Sequence, residues 1–274
     1  MNIQSDLIIV RGGGDIATGT IMKLYKCGFK VLILEIATPS AIRRNVAFSE
    51  AVYQGTQTVE DVTCYLAQNV DEASKFLDEG KLTLLVDPEA KCLDVFKPIA
   101  LVDAILAKKN LGTNPSMAPI TIALGPGFEA PKDVDAVIET QRGHSLGRTI
   151  YEGSAIPNTG VPGKIAGFDK ERVIHSPADG ILKNVHHITD IVKKDEVIAI
   201  ISNKDGDVPV LASIDGLLRG LIRDGYPVTK GFKIADIDPR ATEYNNCFTI
   251  SDKARCIAGG VLEALLYLKK ERNL

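Results

Sequence analysis

Apolar residues recur along this chain in two different periods. Near the start, LIIV at 7–10 is short, unbroken and flanked by polar residues, the pattern of a buried strand. RGGGDIATG follows at once, then apolar positions at helical spacing over 16–27, then Gly28 and a second apolar run, VLIL, at 31–34. The order is strand, glycine turn, helix, strand. KLTLLV at 81–86, stopped by Asp87 and Pro88, predicts another buried strand, and ITIAL at 120–124 predicts one more, ending in Gly125-Pro126-Gly127. The stretch 100–109 is apolar at first but of unassigned type.

Between 175 and 238 the pattern becomes alternation, and the sequence repeats at a shift of 36 residues without gaps. DGIL at 179–182 returns as DGLL at 215–218, VKKD at 192–195 as VTKG at 228–231, and IA at 198–199 as IA at 234–235. Each copy predicts strand, turn, strand and turn. Two such copies resemble the interlocked halves of biotinyl and lipoyl domains. Ser251 and Asp252 form an N-cap for a last helix running to about Lys270. The expected fold class is α/β: a Rossmann-like N-terminal domain with a C-terminal all-β barrel-sandwich (biotinyl/lipoyl-like) module and a terminal helix. Residues 1–165 form the first domain and 173–240 the β module. Residues 241–274 carry the helix, packed back on the N-terminal domain through Val261, Leu262, Leu265 and Leu266. Gly259 and Gly260 inside that helix each cost on the order of 1 kcal/mol, so a close helix contact or a ligand has to explain them.

The first glycine turn carries the clearest chemistry. Gly12-x-Gly14-x-x-Ala17 fits a dinucleotide fingerprint, in which two glycines let backbone approach a pyrophosphate and a small residue lets helix and strand pack closely. Gly13 lies between them, and the helix N-terminus offers its unpaired N–H groups to phosphates. Glu35 ends the second strand, where a carboxylate accepts bonds from ribose hydroxyls. A merely tight structural turn is the alternative. Asp15 either caps the helix or orients a ligand group. No arginine follows Glu35 directly, which favours NAD over NADP.

The segment 120–163 holds seven of the chain's 24 glycines and four of its 13 prolines, too many turn formers for a helix. It also gathers Arg142, His144 and Arg148 within seven residues. These read either as a cradle for phosphate or carboxylate, or as scaffold ion pairs with Glu139 and Glu152. The functional centre is expected in the crevice between the two domains, with Arg142, His144 and Arg148 lining it beside Gly12 to Gly14 and the turn at Gly125 and Gly127 facing the same crevice. Gly143-His-Ser145-Leu-Gly147 satisfies G-x-S-x-G, but a nucleophile elbow needs a helix after it, and a β-like run broken by Gly153 follows. The asparagine-glycine and proline-glycine pairs of PNTGVPG, 157–163, read as two turns.

Composition excludes several classes. At 274 residues, 45% hydrophobic and 24% charged, the chain has the make-up of a soluble globular protein of two domains. A net charge of −3 gives no general attraction to nucleic acid or anionic membrane, so an anionic ligand must meet a local basic pocket. No apolar run approaches a membrane span and the start lacks a secretory plan, so the expected location is cytoplasmic. Five cysteines without a C-x-x-C pair argue against a disulfide framework, and Cys247 and Cys256 read as buried thiols. Lys204 sits where a carrier lysine would, without flanking methionines, and reads as a solvated hairpin residue. His186 and His187 are adjacent and cannot easily share one ion, so no metal site is expected.

RGGGDIATG, LVDAILAKKN, LGPGF, ETQRGHSLGR, PNTGVPG, DIDPR and GGVLEALL, taken in order, resemble the selenium-dependent molybdenum hydroxylase accessory (maturation) proteins of the YqeB type. These are distantly similar to the xanthine dehydrogenase accessory factors. The resemblance implies maturation of a molybdenum hydroxylase, with the hydroxylase apoenzyme or other maturation proteins as partners. The implied cofactor is NAD or a molybdopterin dinucleotide, since both carry a pyrophosphate and a ribose. An NAD-dependent oxidoreductase and a non-catalytic interaction adaptor are the competing readings. Whether the chain catalyses a reaction is left open.

Overall fold

A computed structural model describes residues 6–158, 160, 163 and 165–274. Thr159, Val161 and Pro162 of the expected turn pair lie outside the described residues. The chain divides into two compact units: residues 1–39, 47–159 and 250–274 form the first, and 40–46 and 160–249 the second.

In chain order the first unit has β1 (Leu7–Arg11), α1 (Asp15–Lys26), β2 (Lys30–Glu35), α2 (Ala51–Gln54), β3 (Thr56–Val59), β4 (Val62–Ala67), α3 (Val70–Asp78), β5 (Leu82–Val86), β6 (Ala100–Asp103), β7 (Ile120–Leu124), β8 (Glu129–Ala130), β9 (Ala136–Ile138), β10 (Thr149–Ile150) and β11 (Gly153–Ser154). The second unit adds β12 (Val173–His175), β13 (Gly180–Asn184), β14 (Ile191–Val192), β15 (Val197–Asn203), β16 (Gly206–Leu211), β17 (Gly216–Leu221), β18 (Pro227–Val228) and β19 (Lys233–Asp238). The chain then returns to the first unit with α4 (Asp252–Glu271).

The expected fold class needs correction. Instead of a Rossmann-like domain, the first unit is built on a nine-stranded mixed sheet in the order β10-β9-β7-β6-β1-β2-β5-β4-β3. Its outermost pairs, β3 with β4 and β10 with β9, are antiparallel. The passages from β5 to β6 and from β6 to β7 carry only 3-10 turns, at Lys91–Asp94 and Pro115–Met117, where a doubly wound domain would place helices. Instead, α4 arrives from the far end of the chain and packs on α1, β7, β9 and β10. Ala73 and Leu77 of α3 join Ile9, Leu32, Leu34, Leu85 and Leu101 in one apolar cluster.

The barrel-sandwich expectation is corrected too. The second unit consists of two four-stranded antiparallel sheets, β12-β19-β17-β14 and β16-β15-β13-β18. The 36-residue repeat maps onto these strands: Gly180, Ile191 and Val197 open β13, β14 and β15, and Gly216, Pro227 and Lys233 open β17, β18 and β19. The copies trade partners, β14 pairing with β17 and β18 with β13. Their turn acids do the same. Asp215 Oδ1 accepts the Lys194 N–H at 2.8 Å, and Asp179 Oδ1 accepts the Lys230 N–H at 2.6 Å. Gly180 and Gly216 hold φ of +153° and +157°, and an added Cβ would lie 2.5 Å from Ser202 O in one and 2.3 Å from Asp238 O in the other.

Candidate functional site

The order of the sheet fixes where a ligand can sit. From β1 the chain moves to β2 on one side, while β6, β7 and β9 lie on the other. In open α/β sheets the crevice outside the carboxyl ends of strands at such a divergence accepts ligands. β1 ends there in Gly12–Gly14 and β6 ends there in Asp103.

The three glycines of the turn differ in what holds them. Gly12 has φ +95°, and a Cβ would lie 3.0 Å from Ala104 O, so the loop after β6 requires glycine. At Gly13 a Cβ would lie 3.0 Å from Ser49 N. The Gly13 N–H donates to Glu35 Oε2 at 2.8 Å, and its carbonyl accepts the Ser49 N–H at 2.9 Å. Gly14 is different. Its φ of −65° and ψ of 177° suit any residue, and a Cβ there would meet nothing within 4 Å. The fold itself does not call for glycine at 14. Gly14 is also the N-cap of α1, and as a glycine it brings no side chain to cap the first turn. Ala17 is buried within α1, and Asp15 stands in its first turn.

Glu35 acts on the turn rather than standing free for a ribose. Oε2 holds Gly13, and Oε1 accepts the Ile36 N–H at 2.8 Å. Burial pushes its carboxyl up from the ordinary value, and these two backbone bonds pull the other way. A carboxylate has about four lone-pair sites, so each oxygen keeps accepting capacity.

The sequence reading passed over the floor of this crevice. Arg11, buried, donates from Nη1 to Thr113 Oγ1 at 2.5 Å and from Nη2 to Pro88 O at 2.9 Å. Thr113 Oγ1 donates to Asp103 Oδ2 at 2.6 Å. The signal was present, as a charge closing each of two apolar strands, LIIVR and ALVD. Loop 104–109 leaves from this floor, with Leu106 and Lys108 at φ of 60° and 63°. It lies against Gly12 at one end. At the other, a Cβ at Gly127 (φ +108°) would lie 2.6 Å from Lys109 N. The two glycine turns thus flank one loop, which carries the exposed Lys108 and Lys109. Gly125, at φ +76°, is accounted for by Thr140 Oγ1, 2.5 Å from a Cβ there.

Arg142, His144 and Arg148 lie together on the 139–148 connection between β9 and β10, all exposed. β9 is three strands from β1, about 14 Å at ~4.8 Å per strand, whereas the loop that carries Lys108 and Lys109 touches Gly12 at its start. Arg142 pairs with neither Glu139 nor Glu152. It grips Asp252 at the start of α4, Nη1 to Oδ2 at 2.7 Å and Nη2 to Oδ1 at 2.8 Å, which holds its guanidinium above the ordinary range. Glu139, 2% exposed, instead pins the loop, accepting the N–H groups of Gln141 at 2.7 Å and Ile156 at 2.8 Å. Ser145 lies in this hairpin connection, followed by β10 and not by a helix, so it forms no nucleophile elbow.

The same loop explains half of the helical glycine pair. A Cβ at Gly260 would lie 2.1 Å from Gly147 O, whereas one at Gly259 would meet nothing. Cys256 was expected to be buried and is exposed, because the loop covers only its sulfur edge; Sγ donates to Leu146 O at 3.1 Å. Cys247 is buried. His186 sits between Asp190 Oδ2, 3.2 Å from Nδ1, and Glu196 Oε1, 3.1 Å from Nε2, while His187 points to solvent. Among the described residues no helix is long and apolar enough to cross a membrane.

Over 262 residues, 96% of its length, the chain is 52% identical to the uncharacterized protein YqeB of Escherichia coli (strain K12). It is similar to YqeB. It spans about half the length of that relative, 48%. No family model matches. Among solved structures, an aspartoacylase family protein from Mesorhizobium loti aligns over 86% of this chain and 85% of its own at 10% identity, with a TM-score of 0.28. A succinylglutamate desuccinylase/aspartoacylase from Rhodobacter sphaeroides aligns over 88% and 87% at 10% identity, TM-score 0.29. Scores this low carry no weight for fold or for chemistry.

Proposed function

We propose that this chain is an accessory protein in the maturation of a selenium-dependent molybdenum hydroxylase, and that its first glycine turn holds an anionic dinucleotide. The observation that carries the binding half is Gly14. Gly12 and Gly13 are glycine because the neighbouring chain leaves no room, and Gly14 is glycine where the fold leaves room for any side chain. A phosphate approaching the uncapped start of α1 supplies the missing reason. The resemblance of the seven sequence blocks supports the maturation half.

In this reading the pyrophosphate lies against Gly12–Gly14 and the first-turn N–H groups through Ala17. Glu35 keeps the turn in shape and offers its remaining lone pairs to a ribose. Asp15 marks the edge that a second anion avoids. Lys108 and Lys109, exposed on the loop between the two glycine turns, supply positive charge, with Gly127 packed against that loop and Gly125 against Thr140. Arg142, His144 and Arg148 meet whatever part of the ligand reaches the β9 side. The residues present fit either candidate, a molybdopterin dinucleotide or NAD, because both present the same pyrophosphate and ribose. The hydroxylase apoenzyme is the proposed partner.

A thermal-shift panel of NAD, NADP, FAD, S-adenosylmethionine and molybdopterin dinucleotide tests this. A ligand at ~100 Kd adds ~2.7 kcal/mol, worth roughly 5–10 °C for a chain of this size. The expected result is a shift with the pterin dinucleotide that exceeds the shift with NAD. A shift with NAD alone, accompanied by hydride transfer to a carbonyl compound, would favour the oxidoreductase. Silence across the panel would leave only the adaptor.

A further inference from the structure

The carboxyl edge of the first unit carries apolar side chains as well as the glycine turn. Ile36, Val86, Ile105 and Leu111 are large and apolar, yet 44%, 39%, 36% and 46% exposed. Such residues scattered singly are ordinary, but these four share one edge of one sheet. Ile36 directly follows β2, Val86 ends β5, and Ile105 and Leu111 lie on the connection that leaves β6. β6, β1, β2 and β5 are consecutive and parallel, so all four side chains stand where these strands end.

Backbone contacts gather them around the turn. The Cα of Ile105 is 3.1 Å from where a Cβ at Gly12 would stand. On the other side the Gly12 N–H donates at 2.7 Å to the carbonyl of Leu34, close before Ile36 in the chain. Val86 is the register partner of Glu35, and the Asp87 N–H donates to Glu35 O at 3.1 Å. Arg11 completes the arrangement from below. Its Nη2 reaches Pro88 O at 2.9 Å and Leu111 O at 3.4 Å, so one guanidinium nitrogen ties the loop after β5 to the loop after β6. Its Nη1 goes to Thr113 Oγ1 and lies 3.7 Å from Asp103 Oδ2. Arg11 is buried, and it acts as a positioning residue for this apolar rim rather than as a cation for a ligand.

We propose that the rim is a base subsite: the flat heterocycle of a nucleotide lies on Ile36, Val86 and Leu111 while its phosphates sit at Gly12–Gly14. Ile105 closes the rim at the phosphate end. The subsite rests on the reading of that turn as a phosphate site. Ligand sites join an apolar lining to a few placed polar groups. Along this edge the order is a phosphate turn at β1, the Glu35 carboxylate at the end of β2, and apolar surface at β2 and β5. β5 is two strands from β1, about 10 Å at ~4.8 Å per strand, a span that a ribose and base fill. A heterocycle has apolar faces and polar edges, so stacking takes water off Ile36 and Leu111 and leaves the base edges wet. In a dinucleotide the ordinary base then lies on the β2 side of β1, and the reactive half falls to the other side, toward β7 and the Gly125–Gly127 turn.

Nucleoside monophosphates share ribose and phosphate with ribose 5-phosphate and differ from it only in the base. In isothermal titration of the whole chain, the tightest of AMP, GMP and CMP should bind more tightly than ribose 5-phosphate by about tenfold or more, the worth of roughly 55 Å² of apolar surface taken from water. In the double variant Ile36→Ser, Leu111→Ser that advantage should shrink to about threefold or less, with inorganic pyrophosphate bound as by the parent. Should the double variant fail to fold, Leu111→Ser alone, on its exposed loop, decides. A monophosphate no tighter than ribose 5-phosphate overturns the subsite, and so does an advantage that survives the variants; pyrophosphate binding lost in Gly14→Val would in either case keep the turn as a phosphate site. Pyrophosphate that does not bind the parent, or binds Gly14→Val equally well, overturns the glycine-turn reading and the subsite with it.

Discussion

Replacing Gly14 by valine separates a structural glycine from one reserved for a ligand. At φ −65° and ψ 177°, with nothing within 4 Å of the new Cβ, the side chain enters free space without backbone strain. Two small effects on stability remain. Valine is a poorer N-cap than glycine by roughly 0.5–1 kcal/mol. Against this, losing glycine's freedom in the unfolded chain stabilises by about 0.4–1 kcal/mol. They nearly cancel, so the melting temperature should move by no more than about 2 °C. Ligand binding should behave otherwise. The branched carbons would occupy the approach to the first-turn N–H groups and displace the pyrophosphate from charge-assisted bonds worth about 1.5–3 kcal/mol each. Losing two of them weakens binding by roughly 3–6 kcal/mol, or a hundredfold and more. Calorimetric titration of parent and variant with the best ligand of the thermal panel measures this directly. Equal affinity in a stable variant would refute the reasoning, because the open space at Gly14 would then serve no ligand.

Three other outcomes follow from the same geometry. Gly260→Ala should destabilise by about 1–3 kcal/mol or more in chemical denaturation, since its Cβ would press on Gly147 O, whereas Gly259→Ala should stabilise by up to ~1 kcal/mol; equal effects would contradict the described contact. Arg142→Ala should cost the free protein less than ~1 kcal/mol, because its pair with Asp252 is exposed to solvent, so a larger loss in a urea melt would mean that the pair holds the loop. Acid should act through two carboxyls of opposite sign. Asp238 lies below its ordinary 3.8, so its contribution is present above about pH 4 and is lost as pH falls through the folded value. Glu35 lies above its ordinary 4.5, so its contribution is present below that value and is lost as pH rises through the folded one. Denaturant midpoints from about pH 2 to pH 6 should therefore lose acid-side slope in Asp238→Asn and gain it in Glu35→Gln.

Much of the local structure was legible in the chain. The apolar runs marked β1, β2, β5 and β7 because a strand buried on both faces needs no alternation. The 36-residue repeat located six strands. The return of α4 to the first unit was legible in its apolar face, whereas the order and mixed sense of the sheet, set by partners distant in sequence, were not. The hairpin of β3 and β4 was missed because its turn is Glu60-Asp61, with Glu60 at φ 53°, where asparagine and glycine are the usual signal. That hairpin, with β10 at the opposite edge, makes the sheet mixed, and no pattern inside β1 to β2 reveals what is added at the edges, four strands from β1 on either side. Gly12, Gly13 and Gly14 read alike as letters. Only Ala104, Ser49 and empty space, brought there by the fold, tell them apart.

The first unit is interrupted: residues 160–249 are made before α4, which completes it. During synthesis, at about 5–20 residues per second, the sheet with its glycine turn waits on the order of 5–20 s for the helix that packs on α1. In that interval Gly19 of α1 lacks Ala254, whose carbonyl would lie 2.8 Å from a Cβ there, and the apolar surface beneath is open to solvent. The second unit, whose halves complete each other's sheets, has no such dependence on later chain. It should become resistant to protease on the ribosome first, and the glycine turn should mature only after α4 leaves the tunnel. Chains stalled before α4 emerges should therefore still exchange their amide protons at α1.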